Sequence, residues 1–148
     1  MVSVKDSIDI EATVEEIFDV ATDFEKYPSW NPQIKKVEIL ETDENGYATE
    51  VWFEVDAKVK KVQYTLEYDY SKAPEGYSWK LVEGDVKKLT GSYKFDEFVD
   101  VTDVTYQLSI DPGFSVPGFL KRQGEKQIVK GALEELKKRV EERLIRAP

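Results

Sequence analysis

Lys61-Val-Gln-Tyr-Thr-Leu-Glu-Tyr-Asp-Tyr70 alternates apolar and polar residues along its length. In an extended chain Tyr64, Leu66, Tyr68 and Tyr70 share one side, and Gln63, Thr65, Glu67 and Asp69 share the other. A period of two is the pattern of a strand with one face in a core and one in water. The same alternation runs outward in both directions. Downstream, Tyr77–Glu83 carries Tyr77, Trp79 and Leu81, Val86–Phe98 carries Leu89, Gly91, Tyr93 and Phe95, and Val101–Ile110 carries Val104, Tyr106, Leu108 and Ile110. Upstream, Ala48–Ala57 carries Val51, Phe53 and Val55, after a strand over Ile34–Glu41. Asp43-Glu-Asn-Gly46, Pro74-Glu-Gly76 and Gly84-Asp85 supply the turns. Such clean alternation predicts an antiparallel sheet with one buried face.

The two ends of the chain complete the pattern. Val2–Ile10 is a further strand, with Val4, Asp6, Ile8 and Ile10 on one side. Thr13-Val-Glu-Glu16 reads as a capping box opening a helix that presents Val14, Ile17, Phe18 and Ala21. Asp23 reads as the cap of a second short helix, ended by Pro28 and Pro32. After the loop Asp111-Pro-Gly-Phe-Ser-Val-Pro117, one long helix runs to the end, with Pro117 in its first turn. Its stripe is Ile128, Val129, Ala132, Leu133, Leu136, Val140 and Leu144. The order is β, two short α, six β, long α. The expected fold is α+β, a seven-stranded antiparallel curved sheet wrapped around the C-terminal helix, as a single domain over residues 1–148.

Composition narrows the chemistry. The chain has 148 residues, no Cys and no His. Disulfides, thiol and imidazole nucleophiles and the usual zinc ligands are therefore excluded. Oxygen ligands for a hard cation remain, but Glu50, Glu54 and Asp56, which alternate along one strand, read as a solvated face rather than a metal site. No phosphate-binding loop is present, and no metal or cofactor is implied. The net charge of −9 disfavours nucleic acid. Nine basic and five acidic residues between Pro117 and Pro148 leave +4 there and −13 on residues 1–116, which reads as a solvated helix leaning on an acidic body. No apolar run reaches the ~20 residues of a membrane span, and Met-Val-Ser-Val-Lys-Asp lacks a signal-peptide core. The expectation is a soluble cytoplasmic protein, as monomer or dimer.

The candidate site follows from the aromatics. Tyr64, Tyr68, Tyr77, Trp79, Tyr93 and Tyr106 all fall on the inner face. A tyrosine-rich wall suits a cavity that holds a mostly apolar ligand and donates hydroxyls to it. In the long helix Gly124 and Gly131 are seven apart with Ile128 between them. Each mid-helix glycine costs roughly 1 kcal/mol against alanine, so close approach or ligand room is expected there. The C-terminal half of the helix would then plug the core and its N-terminal half would roof a cavity. Candidate ligand-binding residues are Trp30, Phe53, Tyr64, Tyr68, Trp79, Tyr93, Tyr106, Phe119, Gln123, Gly124, Gln127, Ile128 and Gly131. Trp30, between Pro28 and Pro32, closes a cavity mouth or caps the core; Phe114 and Phe119 gate the cavity or anchor the helix. Asp6, the lone carboxylate on an inner face, is the one catalytic candidate, unless a bulge turns it outward. Trp52 on the outer face reads as a contact surface or as covered by a neighbour.

Several stretches resemble one superfamily. Asp23-Phe-Glu-Lys-Tyr-Pro-Ser-Trp-Asn-Pro32 followed by Ile34-Lys-Lys-Val-Glu-Ile-Leu40, then Tyr77-Ser-Trp79, Gly91-Ser-Tyr-Lys-Phe95, Thr105-Tyr-Gln-Leu108 and the loop into the long helix, resemble the START-like proteins, nearest the polyketide cyclase/dehydrase branch. Tyr27-Pro28 also resembles the quinone-binding and ribosome-associated branch, whereas Trp30-Asn31-Pro32 fits the cyclase-like branch better. The resemblance implies the helix-grip fold. Its members include aromatases/cyclases, lipid and hormone carriers and quinone-binding proteins, so it implies no single activity. The leading reading is binding or carriage of a small hydrophobic ligand, aromatic, polyketide-like or lipid-like. The alternatives are a cyclase or dehydratase that works mainly by folding its substrate, and a protein-interaction module using Trp52 or the basic helix. A Glu/Lys-heavy surface with one Met and no Cys or His is also what a consensus, ancestral or computed sequence shows, so a scaffold without retained activity stays open.

Overall fold

The computed structural model describes residues 2–56, 60–113 and 118–146, without the side chains of 2, 118–125 and 145–146. The described residues form β1 (Val2–Ile10), α1 (Val14–Ala21), a 3-10 turn (Phe24–Lys26), α2 (Tyr27–Trp30), β2 (Ile34–Thr42), β3 (Ala48–Asp56), β4 (Lys61–Asp69), β5 (Gly76–Gly84), β6 (Lys88–Glu97), β7 (Thr102–Asp111) and α3 (Gly118–Arg146). The sheet order is β1-β7-β6-β5-β4-β3-β2, antiparallel throughout. Six strands follow the chain as a meander, and β1 closes the far edge against β7. The architecture is the expected helix-grip fold, with α3 packed across β1, β7 and α1.

Local chemistry explains the joints. Thr13 Oγ1 accepts from the Glu16 amide at 3.2 Å and Glu16 Oε1 accepts from the Thr13 amide at 2.9 Å, the reciprocal capping box. Glu97, at the end of β6, accepts the Val14 amide at 2.8 Å, so a third free N–H of α1 is satisfied from the sheet. In the β2–β3 turn Gly46 has φ +83°, and Asp43 Oδ1 accepts the Asn45 and Tyr47 amides at 2.9 and 3.0 Å. The α2 region departs from expectation. Asp23 makes no side-chain cap, and Pro28 sits in the first turn of α2 instead of ending the preceding turn. Proline lacks an amide hydrogen that the first helical turn leaves unbonded anyway, so it is well placed there.

Two regions of the interior differ. At the α1 end, Ile10, Ile17, Val51, Phe24, Phe95, Val104, Val129, Leu133, Leu136 and Val140 are fully or almost fully buried. Lys137 Nζ fixes this half of α3 by donating to the Asp9 carbonyl at 2.9 Å and to Glu141 at 2.7 Å. The C-terminal half of α3 therefore plugs the core. Toward the other end of β1 and β7, Val4, Tyr106 and Ile110 are only half-buried, as are Tyr64, Leu81 and Tyr93 on the neighbouring strands.

Candidate functional site

Register brings the inner-face aromatics together. Direct cross-strand neighbours share a face. Phe53 stands opposite Tyr64, Tyr68 opposite Trp79, Tyr77 opposite Tyr93, and Tyr93 opposite Tyr106. The rings meet edge-on or tilted, with centroids 4.8 Å apart for Tyr93 and Tyr106 and 5.6 Å for Trp79 with Tyr77, Tyr93 and Tyr106. Gly91 makes this layer possible. It lies opposite Trp79, whose indole occupies the space a Gly91 side chain would need.

The tyrosine hydroxyls divide into two sets. Tyr27 and Tyr77 both donate to the carbonyl of Ala21, Tyr77 at 3.2 Å, satisfying the C-terminus of α1. Tyr70 donates to the Ala48 carbonyl at 2.6 Å. These three are structural. Tyr64, Tyr68, Tyr93 and Tyr106 have no hydrogen-bond partner among the described residues. Burial pushes the Tyr64 phenol up to about 12 and those of Tyr68, Tyr93 and Tyr106 well above 10. All four are neutral donors at physiological pH. Tyr64, Tyr93 and Tyr106 nevertheless retain solvent-accessible surface. Their phenols are thus desolvated although their side chains are not fully covered. Such a wall can hold apolar surface against its rings and donate hydrogen bonds to ligand oxygens.

The remaining sequence candidates fall elsewhere. Phe53 is buried against Phe24 and Tyr64 within the aromatic layer. Trp30 is half-buried, its ring 5.1 Å from Tyr27, and caps that layer from outside the sheet. The helix face requires correction. Val129, Leu133, Leu136 and Val140 turn inward, whereas Gln127 is exposed, Ile128 is 41% exposed, and Gly131 has nothing within 4 Å of where a Cβ would stand. At 100° per residue, Gly131 lies roughly opposite Val129 and Leu133, so the sheet does not explain this glycine. Phe114 and the side chains of Phe119 and Gln123, with the surroundings of Gly124, lie outside the described residues.

Asp6 differs from both readings of it. No bulge turns it away: it stands opposite Tyr106 in unbroken register, on the inner face. Yet it is exposed, and its Oδ1 accepts the adjacent Ser7 amide at 2.8 Å. Trp52 is half-buried on the outer face and lies opposite Thr65, which is only 4% exposed. Phe24 is the aromatic that sequence reasoning missed. It is fully buried, with its ring 4.7 Å from Tyr68. Its position just after Asp23, in a segment too short for periodicity, hid it.

A seven-stranded antiparallel curved sheet with a long C-terminal helix and short helices after the first strand is the START-like helix-grip fold. The chain belongs to the polyketide cyclase/dehydrase and lipid transport family, whose model matches residues 10–137. Among solved structures, a START superfamily protein from Mycobacterium smegmatis superposes with TM-score 0.86 at 23% identity, covering 95% of this chain and 97% of that one. The Zhui aromatase/cyclase from Streptomyces sp. R1128 gives 0.74 at 18% identity, covering 97% and 95%. A STAR-related lipid transfer protein from Xanthomonas axonopodis gives 0.69 at 17%, covering 94% and 85%. At these identities the likeness shows fold alone. No curated protein matches the chain in sequence. Among the described residues, no helix is long and apolar enough to cross a membrane.

Proposed function

We propose that the protein binds or carries a small hydrophobic molecule, aromatic, polyketide-like or lipid-like, between the sheet and α3. The observation that carries this reading is the set of four tyrosine hydroxyls, on Tyr64, Tyr68, Tyr93 and Tyr106, without a partner among the described residues. A buried hydroxyl left unsatisfied costs about 1–3 kcal/mol. Four on one face favour an interior that receives water or ligand oxygens. The surrounding rings supply the apolar contact, and Gly91 leaves the space that the Trp79 indole fills.

Cyclisation chemistry is the less favoured reading. Neutral phenols could polarise a carbonyl, but the base would have to be Asp6, which is exposed and held by a neighbouring amide. The test is titration with an apolar aromatic fluorophore, N-phenyl-1-naphthylamine. Saturable binding at one site per chain, lost in a Leu81→Trp variant that still melts cooperatively, supports the reading. Absence of saturable binding, or binding unchanged in the filled variant, contradicts it.

A further inference from the structure

Outside the aromatic interior, α2 and the C-terminal half of α3 enclose a groove of about 350 Å³. Pro28, Ser29, Trp30 and Pro32 form one wall, and Glu135, Lys138, Arg139 and Glu142 form the other. The volume is at the lower end of small-molecule sites, roughly 300–1,000 Å³. Trp30 and the two prolines give it a stiff apolar wall, held by the contact of Trp30 with Tyr27.

The charged wall holds no closed ion pair among the described residues. Lys130–Glu134 and Lys137–Glu141 form i,i+4 ion pairs, at 4.0 and 2.7 Å. Glu135–Arg139 and Lys138–Glu142 have the same spacing, and Glu135–Arg139 has the more favourable order of charges. Neither closes, and none of the four side chains has an ion-pair or hydrogen-bond partner among the described residues. Arg139 stays unpaired although it is only half-exposed. Glu134–Lys138 is open as well, but Glu134 is engaged by Lys130, so Lys138, Arg139, Glu135 and Glu142 all reach the groove without an ion-pair partner among the described residues.

We propose that this groove is a separate binding site for a small zwitterion with an apolar portion, one whose cationic and anionic groups lie a few ångströms apart. Arg139 and Lys138 take the phosphate or carboxylate, Arg139 as a two-pronged donor. Glu142 or Glu135 takes the ammonium, with the Trp30 ring against its alkyl groups. A simple anion is opposed by the two glutamates, and a simple cation by Lys138 and Arg139. The mixed signs therefore select a ligand carrying both charges. A free metabolite and a lipid headgroup share this chemistry.

The test is an NMR titration of ¹⁵N-indole signals, which reports Trp30, Trp52 and Trp79 separately. The probes are phosphocholine, choline alone, inorganic phosphate alone, and phosphatidylcholine vesicles. The expected result is a saturable shift of the Trp30 signal with phosphocholine and little movement of Trp79, with binding weakened at least tenfold in Arg139→Gln and in Glu142→Gln. Binding only to the vesicles, with the same dependence on Arg139, assigns the site to a headgroup. No Trp30 response to phosphocholine or vesicles overturns the proposal. So does an equal response to phosphate alone, or retention of binding in both variants. A shift of Trp79 in place of Trp30 would assign the zwitterion to the interior, overturning the groove site while leaving the interior reading intact.

Discussion

Replacing tyrosine by phenylalanine removes one oxygen and leaves the ring, so it isolates what each hydroxyl contributes. Tyr70→Phe deletes the 2.6 Å bond to the Ala48 carbonyl and leaves that carbonyl short of a donor. The expected cost is about 1 kcal/mol. Tyr93→Phe and Tyr106→Phe delete hydroxyls that no described residue bonds, so each should change stability by less than about 0.5 kcal/mol, or raise it where the hydroxyl was dry. Urea unfolding followed by fluorescence reads the contrast. With a slope of roughly 2 kcal/mol per molar, Tyr70→Phe should lower the midpoint by about 0.5 M while the other two stay near the parent. The ligand readout should invert the order. Tyr93→Phe and Tyr106→Phe should weaken an oxygen-bearing aromatic ligand severalfold, and Tyr70→Phe should not. If Tyr93→Phe and Tyr106→Phe each destabilise as much as Tyr70→Phe, those hydroxyls are structural and the argument for an interior binding space fails.

Two further predictions concern packing and charge. Gly91→Ala forces the Trp79 indole off its seat, so it should cost roughly 1–3 kcal/mol and reduce fluorophore binding; a thermal melt indistinguishable from the parent would show that Trp79 moves freely. Asp103 faces Asp9 across β1–β7 and Asp96 across β6–β7, and burial followed by Asp9 raises its pKa above the ordinary 3.8. A carboxyl with a raised native pKa binds its proton more tightly folded than unfolded, so stability is lost as pH rises from 3.8 through the native value. Asp103→Asn should therefore stabilise by a few tenths of a kcal/mol at pH 7 and lose that advantage at pH 3, as compared by thermal melts at the two values; equal gains at both would refute the repulsion.

Periodicity carried the fold because the strands keep a largely wet face, as Lys61–Asp69 does everywhere but at Thr65, and because the helix cap at Thr13 uses only neighbours in sequence. The aromatic wall was legible for the same reason: residues two apart on a strand share a face whatever the register. The α3 assignment was less so. The stripe read from sequence contained both Ile128 and Val129, which are 100° apart, and the glycines at 124 and 131 drew the inward face toward Ile128. Burial chose Val129, because Leu133, Leu136 and Val140 lie beneath it along the same line. The groove beside Trp30 was illegible, because it joins α2 to residues more than 100 positions later. Asp6 shows the remaining limit. Alternation placed it on the inner face correctly, but only the packing of neighbouring elements decides whether that point of the face is covered.

Everything proposed for the interior requires that the space between sheet and helix hold a small hydrophobic ligand. Native mass spectrometry of the protein purified from cell extract without detergent tests it most directly. The expected result is a protein-sized ion accompanied by a one-to-one complex with a small molecule that partitions into organic solvent on denaturation, the complex being lost in Leu81→Trp. Bare protein alone, both as purified and after incubation with excess apolar aromatic compounds, would contradict it.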